Sequence, residues 1–373
     1  MPESDVAYTW IDGAYRAPGH QSLGGGTGSM QSPPGLPAAG QGFVLGMYVS
    51  SISNLTALES TLGRQFDGMI RYRDSNMWTS WPIADETPLV NRGGVFRYAF
   101  STRVFGYNQY TQHPQMPPLG WDYTNPADSN RYVGFKYAQY LNGSMDPLLD
   151  KVFSSLKTMA ETYGTTFIFD MGVEMDDNPY VLEGFSHGII TYNNAQPYSN
   201  PTMPDPQEYV NYARYIVDYG KTFNIPNILW GFCPAGWTLS RNATRLGHMY
   251  PGDNWVDVIM WDPYNNSGSN WRSFTQIVSP MYSAIDGGLF GAGAVNKPRL
   301  LGEFGALTGD SRRAAWISSI ATEAQALPKL RGALWFSSGT WGAIHGSDGT
   351  EAERTALRNL MNHPYLNDWK AAP

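Results

Sequence analysis

Two glutamates occupy positions where a pair of carboxyl groups could perform acid–base and nucleophilic chemistry. Glu174 ends a β-rich run in TTFIFDMGVEMDDN, and Glu303 ends another in KPRLLGEFGAL. Cleaving a glycosidic bond with retention needs one carboxyl group to protonate the leaving oxygen and another to attack the anomeric carbon, about 5–5.5 Å apart. From position alone, the two glutamates could equally be ordinary charged residues at the rim of a fold.

Eight β-rich runs alternate with amphipathic helical segments from residue 42 onward, a pattern typical of βα units around a parallel sheet. We therefore predict an α/β fold, a (β/α)8 barrel, in which catalytic groups lie at the C-terminal ends of the strands. Glu174 then ends the fourth strand and Glu303 the seventh. The connections after the second and fifth strands show no clear helix. The predicted strands are Val44–Val49, Met69–Asp74, Val95–Ser101, Thr166–Glu174, Ile228–Cys233, Val256–Tyr264, Arg299–Phe304 and Ala333–Ser337.

The chain before the barrel divides into two segments. Alternating apolar and aromatic residues around Asp12-Gly13, a dipeptide favoured in hairpin turns, predict a β-hairpin arm within residues 1–20. Residues 21–41 are rich in Gly and Pro and predict a flexible linker to the barrel domain, residues 42–373. Because an isolated hairpin is barely stable in water, we expect the arm either to pack on the barrel or to bind an assembly partner through residues 1–20.

Composition narrows the classes of function. The formal charge is −7 with 25 Lys and Arg and no basic block, which argues against nucleic acid as a partner. One cysteine, Cys233, allows neither an internal disulfide nor a thiolate zinc site. The six histidines show no metal-binding spacing, and we predict no metal or other cofactor. The 14% aromatic content is compatible with rings that stack on sugars, although a large core also uses them.

Motifs between residues 165 and 340 resemble glycoside hydrolase family 26, which comprises β-mannanases and related retaining endo-glycanases. They are Glu174-Met175, DPQEYVNYARYIVDYGKTFNIPNILWGF, HMYPGDNWVDVIMWDPYN, KPRLLGEFGA and GALWFSS, whereas the first three strands match only by pattern. The resemblance implies a retaining endo-glycoside hydrolase that cleaves a polysaccharide, with Glu174 as acid/base and Glu303 as nucleophile. It also implies that Tyr264 hydrogen-bonds the nucleophile and that Trp335 forms the aromatic floor under the reacting sugar.

The residues around Glu174 depart from the family pattern. The family usually has His before the acid/base and Asn-Gly shortly after it, whereas here Val173 precedes Glu174 and Met175-Asp176-Asp177-Asn178 follows. This difference bears more on which sugar the site binds than on whether it cleaves a glycosidic bond. It also keeps an alternative open, a catalytically inactive barrel that binds carbohydrate or has a structural role in a larger assembly.

Other residues are candidates for supporting roles. Arg71, Arg97 and Asp170 alternate with apolar residues along their strands and are predicted to point inward, as an ion cluster that supports the site. Polar and aromatic residues at or just beyond strand ends could line sugar subsites. These are Trp237, Asp262, Trp271, Trp341, His345 and Asn178.

The N-terminus bears on where the protein acts. It begins MPESDVAYTW, where a secretory signal needs a basic start and an apolar stretch, and no apolar run approaches the ~20 residues that span a bilayer. We therefore expect no membrane insertion. A particle such as a phage tail could carry the enzyme by its arm to a bacterial surface glycan. A cytoplasmic glycosidase, or export by another route, is the alternative.

Overall fold

The fold is a closed barrel of eight parallel strands, as the sequence predicts. Neighbouring strands pair in chain order from the first to the sixth, the eighth pairs with the first and the seventh, and the sixth pairs with the seventh to close the barrel. The strands are β1 Val44–Tyr48, β2 Gly68–Asp74, β3 Val95–Ser101, β4 Thr166–Asp170, β5 Ile228–Phe232, β6 Val258–Trp261, β7 Arg299–Ala306 and β8 Leu330–Phe336. This computed structural model describes residues 9–11, 14–16, 35–74, 87–90, 94–101, 103–104, 133–134, 137–172, 174–176, 206–236 and 239–367.

A helix follows every strand of the barrel. The connection after β5 contains a helix of 10 residues, contrary to the expectation of none, and the helix after β2 has only 4 residues. The main helices are α1 Ile52–Leu62, α2 Thr87–Val90, α3 Asp146–Tyr163, α4 Pro206–Lys221, α5 Leu239–His248, α6 Phe274–Asp286, α7 Arg313–Gln325 and α8 Glu351–Met361. Shorter helices are Tyr137–Leu141, Gly339–Gly342 and Pro364–Asn367.

Local sequence signals account for where several helices begin and end. The Ser51 side chain accepts a hydrogen bond from the Asn54 N–H at the start of α1. Thr350 and Glu353 form a capping box at α8. Helix α3 ends at Gly164, whose φ of 65° lies in the left-handed region that glycine adopts without steric cost.

Side chains that alternate along the strands form two layers. One layer fills the barrel with Val44, Val95, Ile168, Leu229, Cys233, Val258, Met260 and Leu300, together with Leu36. The other packs the outer surface of the barrel against the helices and includes Phe96, Phe167, Trp261 and Phe304. The face of a strand on which a side chain lies therefore decides whether it can reach the barrel interior.

The N-terminal hairpin is present as Thr9–Ile11 paired antiparallel with Ala14–Arg16. Its turn residues, Asp12 and Gly13, lie outside the described residues. Cα atoms of Ala14–Arg16 come within 8 Å of helix α4, so the hairpin lies beside the barrel's own surface. Within the part of the chain that the structure describes, no helix is long and apolar enough to cross a membrane.

Candidate active site

A β-bulge turns Glu303 into the barrel. In the pairing of β7 with β8, Leu301 lies opposite Ala333 and Phe304 opposite Trp335, so Gly302 and Glu303 together face one residue of β8. Leu301 and Phe304 both belong to the outer layer. Without the extra residue, simple alternation would put the Glu303 side chain on the outer face as well. The bulge is therefore what brings this carboxyl group into the interior.

Two phenol hydroxyls hold the Glu303 carboxylate, which is 7% exposed as a residue. Tyr264, just beyond β6, donates to Glu303 Oε2 at 2.6 Å, as the family resemblance implies. Tyr72 on β2 donates to Glu303 Oε1. Burial, followed by the nearby Glu303 charge, raises the pKa of both phenols well above 10. Both hydroxyls therefore stay protonated and remain donors at neutral pH.

The Asp262 side chain anchors the backbone of the bulge. Its Oδ1 accepts the Glu303 N–H at 2.7 Å and lies 3.2 Å from the Cys233 thiol. Gly302 fits over this contact only because it has no side chain. A Cβ atom there would lie 2.5 Å from Cys233 Sγ and 2.6 Å from Asp262 Oδ1. Asp262 is 3% exposed and lies beneath Glu303, so its side chain contacts the backbone of the bulge and is buried away from the mouth, where a subsite would lie.

An ion cluster in the barrel interior includes two of the three residues predicted for it. Arg97, with no exposed surface, pairs with Asp170 at 2.6 Å, and its Nη1 lies 3.9 Å from both Asp262 Oδ1 and Glu303 Oε1. The Arg71 side chain does not lie on the interior face of β2. Tyr72 lies in the interior beside Glu303, and the adjacent Arg71 therefore leaves β2 on the opposite face, level with Tyr98 of the outer layer.

The cluster contains one guanidinium group for three carboxyl groups. Burial raises the pKa of Asp170 to about 6, although its pair with Arg97 opposes the shift. Burial also raises the pKa of Asp262 well above its ordinary value of 3.8, in spite of Arg97 and with a contribution from the charge of Glu303. Both aspartates therefore ionise less readily than free aspartates, which opposes the build-up of negative charge beside Glu303.

Glu174 lies in a turn beyond the end of β4. The strand ends at Asp170, so the prediction that it extends to Glu174 is corrected. Asp170 Oδ1 accepts the Gly172 N–H at 3.2 Å, and the buried Asp176 accepts the Ala235 N–H at 2.7 Å, which ties the turn to β4 and to the segment after β5. Glu174 itself has a φ of 41°, a left-handed conformation that a non-glycine residue adopts at a cost of about 1–3 kcal/mol.

Four partly exposed aromatic rings surround Glu303 at the barrel mouth. Tyr48 and Phe336 stack with their centroids 4.7 Å apart and an interplanar angle of 5°. Tyr72 and Tyr264 each present an edge contact to Phe336, with centroids 6.4 Å apart. Such rings provide apolar surface next to a carboxylate, the combination that the C–H faces and hydroxyl groups of a sugar require.

The structure contradicts the prediction that Trp335 forms the floor under the sugar. Trp335 is 0% exposed and lies on the outer face of β8, where its ring contacts Phe304 and Trp316 and its Nε1 donates to the Gly342 carbonyl oxygen at 2.7 Å. The next residue, Phe336, points into the mouth because side chains alternate along the strand. Phe336 is therefore the β8 ring available to a substrate.

The remaining predicted subsite residues have varied surroundings. His345 Nδ1 lies 2.8 Å from the Ser337 hydroxyl, and the half-buried Trp271 packs on Trp316 and under the Arg312 guanidinium. Trp237 and Asn178 lie outside the described residues, as does the side chain of Trp341. In the described ranges, no group of three or more His, Cys, Asp or Glu residues could hold a metal ion.

The fold and the site together define a (β/α)8 barrel with a tyrosine-held carboxylate on its seventh strand and a second glutamate beyond its fourth. The family model for Glycosyl hydrolase family 26 matches residues 197–323. Endoglucanase H of Acetivibrio thermocellus is 31% identical over 177 residues, which are 45% of this chain and 19% of that protein. A mannan endo-1,4-beta-mannosidase of Bifidobacterium adolescentis is 36% identical over 69 residues, 18% of this chain and 7% of that protein.

Solved structures share the fold. The GH26 domain of an endo-beta-mannanase/endo-beta-glucanase from Prevotella bryantii aligns with a TM-score of 0.56 at 14% identity, covering 88% of this chain and 91% of that one. A Cellulomonas fimi endo-beta-1,4-mannanase aligns with a TM-score of 0.56 at 16% identity, covering 90% and 73%. The matches confirm the predicted resemblance to glycoside hydrolase family 26, by sequence over part of the chain and by fold over most of it. The chain spans less than a fifth of the length of the two curated relatives.

Proposed function

We propose that this chain is a retaining endo-glycoside hydrolase in which Glu303 is the nucleophile and Glu174 the general acid/base. The observation that carries the proposal is the Glu303 carboxylate on the β7 bulge, held by two phenols among four aromatic rings. On one side of the barrel only β5 and β6 separate the strands that lead to the two glutamates. Both carboxyl groups therefore belong to the C-terminal rim, where such barrels bind substrates.

The reaction has two balanced steps. First, a Glu303 oxygen forms a bond to the anomeric carbon while the glycosidic C–O bond breaks and the Glu174 proton passes to the leaving oxygen. Second, water bonds to the anomeric carbon and gives a proton to the Glu174 carboxylate, and the bond to Glu303 breaks. The two phenols and the Asp262 contact to the Glu303 N–H hold the nucleophile through both steps.

The mouth of the barrel supports a polysaccharide as the substrate. The stacked Tyr48–Phe336 pair offers a flat apolar surface next to Glu303, which suits the C–H face of a pyranose ring. The matched relatives are named for glucan and mannan cleavage, and β-linked glucans and mannans are therefore the first polysaccharides to test. Screening these with xylans and bacterial envelope glycans, followed by product analysis, would identify the sugar, the linkage and whether cleavage is internal.

Replacing Glu303 by Gln tests the assignment of the nucleophile. The variant keeps the size of the side chain but removes the carboxylate that attacks, so turnover should fall by several orders of magnitude with the fold intact. Glu161→Gln is the matched control, because Glu161 is exposed on α3, where it forms a surface pair with Lys157 at 3.8 Å. Parent-level activity in Glu303→Gln would overturn the assignment.

A carbohydrate-binding barrel without catalysis is the alternative, and the altered residues around Glu174 are the reason to consider it. Val173, which replaces the usual His, lies outside the described residues. Affinity electrophoresis in gels that contain each polysaccharide separates the two hypotheses. A binder would be retarded without shortening the polysaccharide, whereas the hydrolase would release oligosaccharides.

We also propose that the arm, residues 1–20, attaches the enzyme to a larger particle such as a phage tail, and that a bacterial surface glycan is the substrate. The Gly- and Pro-rich segment that follows the hairpin Thr9–Ile11 and Ala14–Arg16 in the sequence supports this arrangement, whereas the position of Ala14–Arg16 beside α4 favours packing on the barrel. Deleting residues 1–40 should abolish incorporation into the particle and leave hydrolysis unchanged. Normal incorporation of the shortened chain would contradict the proposal.

A further inference from the structure

The two oxygens of Glu303 have different surroundings. Oε2 accepts the Tyr264 hydroxyl, and Tyr264 lies beyond the end of β6, at the mouth. Oε1 accepts the Tyr72 hydroxyl from within β2 and lies 3.9 Å from Nη1 of the buried Arg97. Oε1 therefore has a hydrogen-bond donor and a buried positive charge beside it.

This difference matters once the nucleophile has reacted. The oxygen that bonds to the anomeric carbon becomes an ester oxygen, and the other becomes a carbonyl oxygen that remains the better hydrogen-bond acceptor. A donor and a cation beside the carbonyl oxygen keep their interaction in both steps of the reaction. The surroundings of Oε1 match the carbonyl oxygen, which leaves Oε2 to attack.

We propose that Tyr72 is a second positioning residue for the nucleophile, which holds Oε1 of Glu303 so that Oε2 bonds to the anomeric carbon. The inference rests on the proposed function and goes beyond it, because the family resemblance gives this role to Tyr264 alone. Tyr72 also contacts the rings of Tyr48 and Phe336, with centroids 5.3 Å and 6.4 Å away. A role in packing and a role in positioning must therefore be separated.

Tyr72→Phe separates them, because it keeps the ring and removes only the hydroxyl. A charge-assisted hydrogen bond of ordinary strength predicts a fall in kcat of about 10- to 100-fold with KM little changed. A role in packing alone predicts an unchanged kcat. Tyr98→Phe is the matched control, since Tyr98 is a buried tyrosine on the neighbouring strand β3 whose side chain lies in the outer layer. Thermal unfolding of both variants would reveal any loss of fold.

The parent protein supplies the second measurement. A 2-deoxy-2-fluoro glycoside of the identified sugar would trap the glycosyl-enzyme, and a crystal structure should show the ester through Oε2, with Tyr72 still hydrogen-bonded to Oε1. An ester through the oxygen beside Tyr72, or parent-level kcat in a folded Tyr72→Phe variant, would overturn the inference. The proposed function is tested separately by Glu303→Gln. If that variant is inactive in the same assays, the proposed function stands even when the inference about Tyr72 is overturned.

Discussion

Replacing Gly302 by alanine tests whether the β7 bulge and the cluster beneath it hold the nucleophile. A Cβ atom at this position would lie 2.5 Å from Cys233 Sγ, 2.6 Å from Asp262 Oδ1 and 3.0 Å from Arg97 Nη1. All three side chains have buried positions in the barrel interior, so none can move aside into solvent. Overpacking of this kind costs about 1–3 kcal/mol of stability.

The effect on activity should exceed the effect on stability. Asp262 accepts the Glu303 N–H, so a shift of the Asp262 carboxyl group moves the backbone that carries the proposed nucleophile. A misplacement of about 1 Å costs on the order of 100-fold in rate. We therefore expect Gly302→Ala to remain folded with a lower Tm and to lose about 100-fold in kcat on the substrate that the polysaccharide screen identifies.

Gly268→Ala is the control for this experiment. Its added Cβ would meet only Leu307 Cδ2 at 3.7 Å and Asp310 Oδ2 at 3.8 Å, which are ordinary contacts. This variant should match the parent protein in Tm and kcat. A Gly302→Ala protein with parent-level Tm and kcat would refute the argument that the cluster and the bulge fit together.

Three further predictions concern the acid/base, the ion cluster and the mouth. Glu174→Ala should slow hydrolysis of the polysaccharide; on an aryl glycoside whose leaving group departs without protonation, azide, which needs no general base, should restore turnover and yield a glycosyl azide, and without this product the assignment fails. Because the pKa of Asp170 in the folded protein is about 6, its contribution of about 3 kcal/mol to stability is full below pH 3.8 and is lost as pH rises to 6. Asp170→Asn should lack this component in urea unfolding between pH 4 and 7, and a pH slope equal to that of the parent would contradict the shift. Phe336→Ala should raise KM, whereas Trp335→Phe should lower Tm with KM unchanged, and the reverse pattern would return the sugar floor to Trp335.

The strands and their order could be predicted from sequence because each is a short apolar run between helical segments. All eight predicted strands are present, and their ends differ from the predictions by a few residues. Helix α5, Leu239–His248, has no clear signal in the sequence, because LSRNATRLGH contains few apolar residues. Its place in the fold depends on packing against the barrel, which local pattern does not reveal.

The orientation of individual side chains was harder to predict, because it depends on the register. The bulge at Gly302 and Glu303 adds one residue to β7. Apart from the glycine, nothing in KPRLLGEFGAL predicts this bulge. The family resemblance puts Trp335 under the sugar, whereas alternation with Phe336 puts it on the outer face.

Tyr72 and Arg71 show a related error. The expectation that Arg71 points inward counts Tyr72 among the apolar residues with which it alternates. At the mouth of this barrel the interior contains polar and aromatic groups instead, and Tyr72 faces Glu303. The alternation of MIRYRD was a usable signal, but which of its two faces was interior could not be decided without the neighbouring strands.

Identifying the residue that becomes covalently attached to the sugar tests the central claim most directly. After trapping with a 2-deoxy-2-fluoro glycoside, tryptic cleavage at Arg299 and Arg312 gives the peptide LLGEFGALTGDSR, in which Glu303 is the only glutamate. Tandem mass spectrometry should show one added sugar on Glu303 in the parent protein and none in Glu303→Gln. A sugar attached to another residue, or no adduct in a protein that hydrolyses the corresponding polysaccharide, would contradict a retaining mechanism through Glu303.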